Sequence, residues 1–462
     1  TEAPGFRFVF VKRKRLVVQL NVRYFIKFFL GVSWLFFKVK RICSIVAATL
    51  LLNATLVLVQ SASVQAADAP DLKLNVRSAI LMEASTGQVL YEMNADEAYP
   101  PASMAKMMTE YLVMEAIKNG KISSTEMITT SQNAADVIGS GGLLALNEQA
   151  TVDDMFAAMS IYSANDASVA LAEKIADTEE NFAKMMNEKA KQFGLSDKAH
   201  FINATGLPRA DMGKYAPTEV QGETMLTARD AALIAYNIIK DHKEVLKYTA
   251  TPSRKFREKD KSPMINWNWM LEGNKDNTNF KKFAYQGLDG LKTGSTKEAL
   301  YCFTGTAERN GMRLISVVMG APKEPDRFIE TRKVLDYGFN NFEFVPVLNA
   351  KQEIENLKTV NIKKGVATEV PVVTQSELRI VAKKGTPKEQ FQITAEPLTD
   401  ESKLVAPIAQ GQELGTVKVT YGGKEYTTKL VASEEVEKGS WFRLFFRAIK
   451  DFFVDMFSGK KG

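Results

Sequence analysis

Residues 299–320 read "ALYCFTGTAERNGMRLISVVMG", two apolar runs joined at Asn310-Gly311. Asn-Gly favours positive φ at both central positions of a two-residue turn, a geometry that matches the twist of paired strands, so the stretch predicts an antiparallel hairpin. The strand signal extends upstream through "GLDGLKTGST" (residues 287–296), and "VRSAILMEASTGQVLYEM" (residues 76–93) predicts two more short strands around Ser85-Thr86-Gly87. Between these flanking strands the periodicity is helical. It predicts helices from about Ala102 to Lys118, stopped by Asn119-Gly120, from Val152 to Ile161 after Thr151, from Glu179 to Gln192 after Thr178, and from Ala228 to Lys240 after Thr227. A further helix is expected over Asp326 to Phe339. An α-rich middle between antiparallel strands predicts an α+β domain, an antiparallel sheet with a helical cluster, and not a βαβ series.

Composition places the chain among globular proteins: 462 residues, 45% hydrophobic and 25% charged, are enough for two or more cores. The formal charge is +6, yet ten Lys and Arg against a single acid fall in residues 1–66, so the rest is slightly acidic and carries no nucleic-acid footprint. Lys38, Lys40 and Arg41 precede an apolar run from Ile42 to Val59, and Val64-Gln65-Ala66 offers small residues for cleavage. Residues 38–66 therefore read as a secretory signal, with an uncleaved anchor as the alternative. Residues 1–37 resemble no folded domain and are expected to be a non-native or upstream extension. Cys43 would leave with the signal, and Cys302, in "LYCFTG", is expected to be a buried strand residue. An exported body with one cysteine has no intramolecular disulfide and relies on its core.

Residues 67–344 are expected to form the first domain. From about Val345 the chain turns rich in Val, Thr and Lys, with "TVKVTYGGKEYTTKLVA" predicting a hairpin at Gly422-Gly423. Residues 345–436 thus read as a small all-β domain. Residues 437–462 differ in kind: as a helix, Trp441, Phe442, Phe445, Ile449, Phe452 and Phe453 share a broad apolar face, with Phe446 adding a further aromatic, while Arg443, Arg447 and Lys450 lie opposite. A helix docked on the β domain is one reading. Aromatics beside cations at this position fit better a helix lying flat in a membrane interface, and the segment is too short and charged to span.

Ser103 and Lys106, in "PPASMAKMMTEYL" (residues 100–112), stand at a predicted helix start. By composition Ser-x-x-Lys arises about twice in a chain this long, so the pair alone is as well read as a helix-start serine and a solvent lysine. At i and i+3 the amine can reach the hydroxyl, and a first-turn serine lies where free backbone N–H groups stabilise an oxyanion. Partial burial would lower the lysine pKa and let neutral amine act as base. The two histidines do not compete: His200 reads as structural, and His242 ends a helix where a cation is favoured. No His- or Cys-rich cluster points to a metal, and no cofactor is implied.

Two more triplets join the pair: Ser163-Ala164-Asn165 at a helix break and Lys292-Thr293-Gly294 on a strand. Each is commonplace singly. In this order they resemble the three active-site motifs of the penicillin-binding protein and serine β-lactamase superfamily. With "IYSANDASVALAE", "FINATGLP" and the long stretch ending "SVVMGAP", the chain from about residue 74 is similar to low-molecular-mass penicillin-binding proteins, the D-alanyl-D-alanine carboxypeptidases. The resemblance implies a DD-peptidase/β-lactamase-like fold and gives each residue a role. Ser103 would be the nucleophile and Lys106 its base. Ser163 would relay a proton to the leaving D-alanine, and Asn165 would orient the substrate amide. Lys292 and Thr293, with Gly294, would hold the terminal carboxylate, and the backbone N–H groups of Ser103 and Ser295 would form the oxyanion hole. Implied partners are a peptidoglycan stem peptide ending in D-alanyl-D-alanine, β-lactams as covalent inhibitors, and the outer leaflet of the cytoplasmic membrane. Ala164 stands where many relatives carry glycine and Ser295 where several carry histidine.

A β-lactamase is the nearest rival, but no Glu-x-x-Leu-Asn segment lies between Asn165 and Lys292. A transpeptidase on the same site and a non-catalytic wall-binding scaffold are the others. Loss of activity in Ser103→Ala separates the enzymes from the scaffold.

Overall fold

The computed structural model describes residues 70–458, so the expected extension, the expected secretory signal and Cys43 lie outside the described residues. The predicted hairpin is present. Strands Leu288–Thr296, Leu300–Arg309 and Met312–Ala321 follow one another antiparallel, and Arg309 pairs with Met312 across Asn310 (φ 51°) and Gly311 (φ 77°). With Ser78–Glu83 as β1 and Val89–Met93 as β2, and these three as β3, β4 and β5, the sheet order is β2-β1-β5-β4-β3. The chain ends of the domain thus meet at the sheet centre, where β1 pairs with β5.

Helices cover both faces of this sheet. Ile80, Met82, Ile315, Val317 and Met319 point into a core shared with α1 (Lys106–Lys118), α2 (Val152–Tyr162), α3 (Asn165–Ala176), α4 (Glu179–Gln192) and α5 (Ala228–Asp241). Ala79, Leu81, Leu314 and Val318 face the other way, onto Phe328, Val334 and Leu335 of α6 (Asp326–Asn341). Every residue of β5 is consequently buried, because its period-2 alternation distributes side chains between two cores. The predicted helix starts are capped as expected. Thr151 Oγ1 accepts from Asp154 N–H and Thr178 Oγ1 from Asn181 N–H, while Thr227 and Asp230 form a reciprocal capping box.

His242 does end α5, but it is buried, and burial lowers its pKa, so the cation expected there is disfavoured. His200 bridges backbone, its Nε2 lying 2.6 Å from Gln221 O. Cys302 is buried in β4, and burial pushes its thiol pKa up to about 11.

The all-β domain has its own core, built from Val360, Val370, Val372, Leu414, Val417 and Leu430. Strand β6 (Phe342–Leu348) leaves α6 and pairs with β9 (Leu378–Lys383). The remaining strands, β7 (Thr359–Asn361), β8 (Glu369–Thr374), β10 (Gln392–Pro397), β11 (Glu413–Tyr421) and β12 (Lys424–Ala432), form a sheet of order β7-β8-β12-β11-β10. The terminal helix α7 (Trp441–Ser458) attaches by its cationic side: Arg447 donates to Gly365 O and Val366 O, both at 3.0 Å, and Arg443 donates to Val366 O. Its aromatic side faces away, with Trp441 and Phe442 each 68% exposed and Phe445, Phe446, Ile449, Phe452 and Phe453 exposed as well. This is the reverse of a helix whose apolar face docks on a core. Among the described residues no helix is long and apolar enough to cross a membrane.

Candidate active site

Ser103 lies in a 3-10 turn, Ala102–Ala105, that feeds directly into α1. Two glycines pack closely against this turn. A Cβ on Gly206 would stand 2.0 Å from Ala102 O, and one on Gly294 2.4 Å from Pro101 O, so both positions require the absence of a side chain. Lys106, fully buried, places Nζ 3.0 Å from Ser103 Oγ, and donates to Asn165 Oδ1 at 2.7 Å and Thr205 O at 2.9 Å.

Ser163 is the residue after α2, in a left-handed conformation (φ 60°, ψ 30°) that turns the chain sharply into α3. The reversal brings Asn165 beneath Lys106, where it also donates from Nδ2 to Ile138 O at 2.6 Å. Both ends of the Asn165 amide are thus engaged, so in this state the residue fixes the lysine. Ser163 Oγ is buried and has no hydrogen-bond partner. Lys292 and Thr293 sit on β3, the sheet's edge strand, along whose outer side backbone N–H groups have no strand partner. Both are buried, Lys292 Nζ reaches only Thr293 O at 3.4 Å, and Ser295 is exposed. Segments separated by up to 189 positions (Ser103 to Lys292) are thus brought together: the serine turn packs against β3, and Asn165 meets Lys106.

A hydroxyl beside a buried amine has the chemistry that a serine nucleophile and its base require. Residues 63–323 match the family of D-alanyl-D-alanine carboxypeptidases. The chain belongs to that family. In this carboxypeptidase residues 342–438 match, in turn, the C-terminal domain of penicillin-binding protein 5. The chain is 36% identical over 377 residues to the D-alanyl-D-alanine carboxypeptidase DacF of Bacillus subtilis, covering 82% of this chain and 90% of that one. It is 33% identical to DacC of Escherichia coli, covering 82% and 88%. Among solved structures, penicillin-binding protein 5 of Haemophilus influenzae is similar at TM-score 0.61 and 32% identity, over 79% of this chain and 98% of that one. The family and its relatives make the protein a serine-type carboxypeptidase, a hydrolase.

The electrostatics of the carboxypeptidase site follow from burial. Desolvation, and then the charge of Lys292, hold the Lys106 pKa well below that of a solvated lysine. Valence then fixes the hydrogen bonds. A neutral amine has two N–H groups, and the carbonyl oxygens of Asn165 and Thr205 can only accept, so its lone pair is left for the Ser103 hydroxyl. Lys292 is also lowered, by desolvation and by Arg327, against the favourable charge of Glu110.

Three residues escaped the sequence reading. Thr205 acts through its backbone: Asn203 Oδ1 accepts from Thr205 N–H, Thr205 Oγ1 and Gly206 N–H, an Asx-type fold that aims Thr205 O at Lys106. The signal was present in "FINATGLP", as Asn followed by Gly three positions later. Arg327, on α6, is buried behind β3, donates to Gly294 O at 3.4 Å and leaves Nε unpartnered. Glu110, one turn beyond Lys106 on α1, is fully buried. Neither of the last two has a sequence signal, since an arginine or glutamate on a helix is normally solvated. Among the described residues no group of three or more His, Cys, Asp and Glu side chains is placed to hold a metal ion.

Proposed function

We propose that this carboxypeptidase removes the terminal D-alanine from peptidoglycan stem pentapeptides through an acyl-enzyme on Ser103. The observation that carries this is the 3.0 Å separation of Ser103 Oγ from the buried Lys106 Nζ. Ser103 Oγ attacks the carbonyl between the two D-alanines, and its proton passes to Lys106. The peptide C–N bond breaks, and the departing amine takes that proton from Lys106 through Ser163, which restores the free amine. Water then attacks the ester, gives its proton to Lys106, and Ser103 leaves protonated. Lys292 and Thr293, with Gly294, hold the terminal carboxylate. Backbone N–H groups of Ser103 and Ser295 take the oxyanion. Gly294 lets β3 approach the serine turn, and Asn165 keeps Lys106 in place until substrate arrives.

β-Lactams occupy the same centre and acylate Ser103, as the name penicillin-binding protein borne by similar solved structures leads one to expect. The protein is exported by residues 38–66 and lies on the outer face of the cytoplasmic membrane through the exposed aromatic side of α7, with the β domain setting the distance of the site from the bilayer. Release of D-alanine from a peptide ending in D-alanyl-D-alanine, measured for the full chain and for Ser103→Ala, tests the reading. Release abolished by the substitution supports it, and release that persists refutes Ser103 as nucleophile.

A further inference from the structure

Residues 264–268, "MINWN", alternate between buried and exposed: Met264, Asn266 and Asn268 turn inward, Ile265 and Trp267 outward. Period two is that of extended chain, yet two of the inward positions carry asparagine, whose amide needs partners when buried. It has them. Asn266 Nδ2 donates to Thr249 O at 3.0 Å and Thr251 O at 2.9 Å, and its Oδ1 accepts from Asn268 N–H at 2.9 Å. Asn268 Oδ1 accepts from Met270 N–H at 3.0 Å, and its Nδ2 donates to Gly290 O on β3 at 3.5 Å. The asparagines thus fix the backbone on either side of Trp267.

The indole itself is fixed as well. Its Nε1 donates to Tyr162 O at 2.9 Å, and the two rings stack with centroids 5.9 Å apart. Its one polar atom is therefore satisfied, yet Trp267 stays 38% exposed, with Ile265 beside it at 43%. A single exposed tryptophan is ordinary on a protein surface, and what distinguishes this one is its place. Tyr162 immediately precedes Ser163, and Gly290 precedes Lys292 by two residues, about 7 Å along a strand. In the proposed reaction these are the two groups that handle the departing residue, Ser163 at its amine and Lys292 at its carboxylate.

With amine and carboxylate engaged, the side chain of the departing residue must lie against whatever flanks both groups. We propose that Trp267, backed by Tyr162, is a specificity-determining residue, the wall on which the side chain of the departing C-terminal residue rests, and that apolar D-residues larger than alanine are accepted there. A held aromatic face with no free donor or acceptor offers dispersion and apolar contact, which suits aliphatic and aromatic side chains and gives polar ones nothing. Because ring and backbone are already fixed, little ordering is lost when the wall is covered. Its exposure leaves room on the outer side, so a branched side chain meets no closed pocket.

The inference rests on the proposed roles of Ser163 and Lys292. Its test is release of the terminal residue from three peptides that differ only there, ending in glycine, D-alanine or D-leucine, by the full chain, Trp267→Ala and Trp267→Phe. The native enzyme should favour D-leucine over glycine by roughly tenfold in kcat/KM. In Trp267→Ala that ratio should fall to about twofold or less, the change appearing in KM, while Trp267→Phe, which keeps a ring, should retain most of it. A native preference for glycine overturns the proposal, and so does the native ratio in Trp267→Ala. An equal loss on all three peptides overturns it too, since the indole would then touch the acyl part of the substrate. Failure of both variants to fold, read by thermal melting, makes the indole structural and also overturns it. Ser103→Ala separates the two levels: residual release there refutes the site, whereas a dead Ser103→Ala beside an unchanged ratio in Trp267→Ala refutes only the role of Trp267.

Discussion

Asn165 Oδ1 accepts a hydrogen bond of 2.7 Å from Lys106 Nζ, joining the start of α3, just after the sharp turn at Ser163, to the proposed base on α1. The amide is neutral, so it orients the amine without favouring its ammonium. Asn165→Asp would place a carboxylate there and raise the lysine pKa, leaving less free amine at neutral pH. Acylation by a fluorescent penicillin should slow about tenfold or more at pH 7 and recover as pH rises. An acylation rate with the native pH dependence would show that Lys106 is not the base.

The native enzyme should itself show a bell-shaped pH profile in kcat/KM. As the proposed base Lys106 must be neutral and its pKa is depressed, so activity should be lost on the acid side as the amine protonates, below the range of a solvated lysine. As the proposed carboxylate clamp Lys292 must be charged and is also depressed, so activity should be lost on the alkaline side earlier than a solvated lysine would predict. Measuring KM separately assigns the limbs: the alkaline loss should appear in KM, where carboxylate binding resides.

Gly294 and Gly206 flank the serine turn but differ in what a methyl group would disturb. At Gly206 the added Cβ meets Ala102 O at 2.0 Å and the backbone has φ +80°, so Gly206→Ala should lower stability by about 2 kcal/mol or more, read by thermal melting. At Gly294 the contacts are Pro101 O and the Met104 backbone and side chain, so β3 and the turn must separate. Gly294→Ala should cost about a hundredfold in acylation rate, from displacement of the nucleophile.

The exposed aromatics of α7 predict binding to vesicles. Flotation with anionic liposomes should recover the full chain, and serine at Phe445 or Phe446 should weaken binding by about tenfold for each residue that inserts. Arg447→Ala tests a different contact, since its guanidinium holds the helix to Gly365 O and Val366 O. That change should loosen the helix from the β domain and leave vesicle binding by the isolated aromatic face intact.

Much of this protein was legible in the chain itself. Period and punctuation are local properties: Asn310-Gly311 specifies a hairpin, Thr151, Thr178 and Thr227 specify helix starts, and the i to i+3 spacing of Ser103 and Lys106 puts hydroxyl and amine on one face before any packing is known. The aromatic and cationic sides of α7 are likewise fixed by a 3.6-residue repeat. What only the tertiary structure decided is charge and contact across distance. Whether Lys106 is solvated or fully buried, whether Thr205 O or a water faces it, whether Glu110 lies in solvent or in the interior, and which side of α7 meets the β domain all depend on segments brought together by folding. Desolvation and Coulomb interactions are set by what surrounds a group in space, and neighbours in sequence carry little of that information.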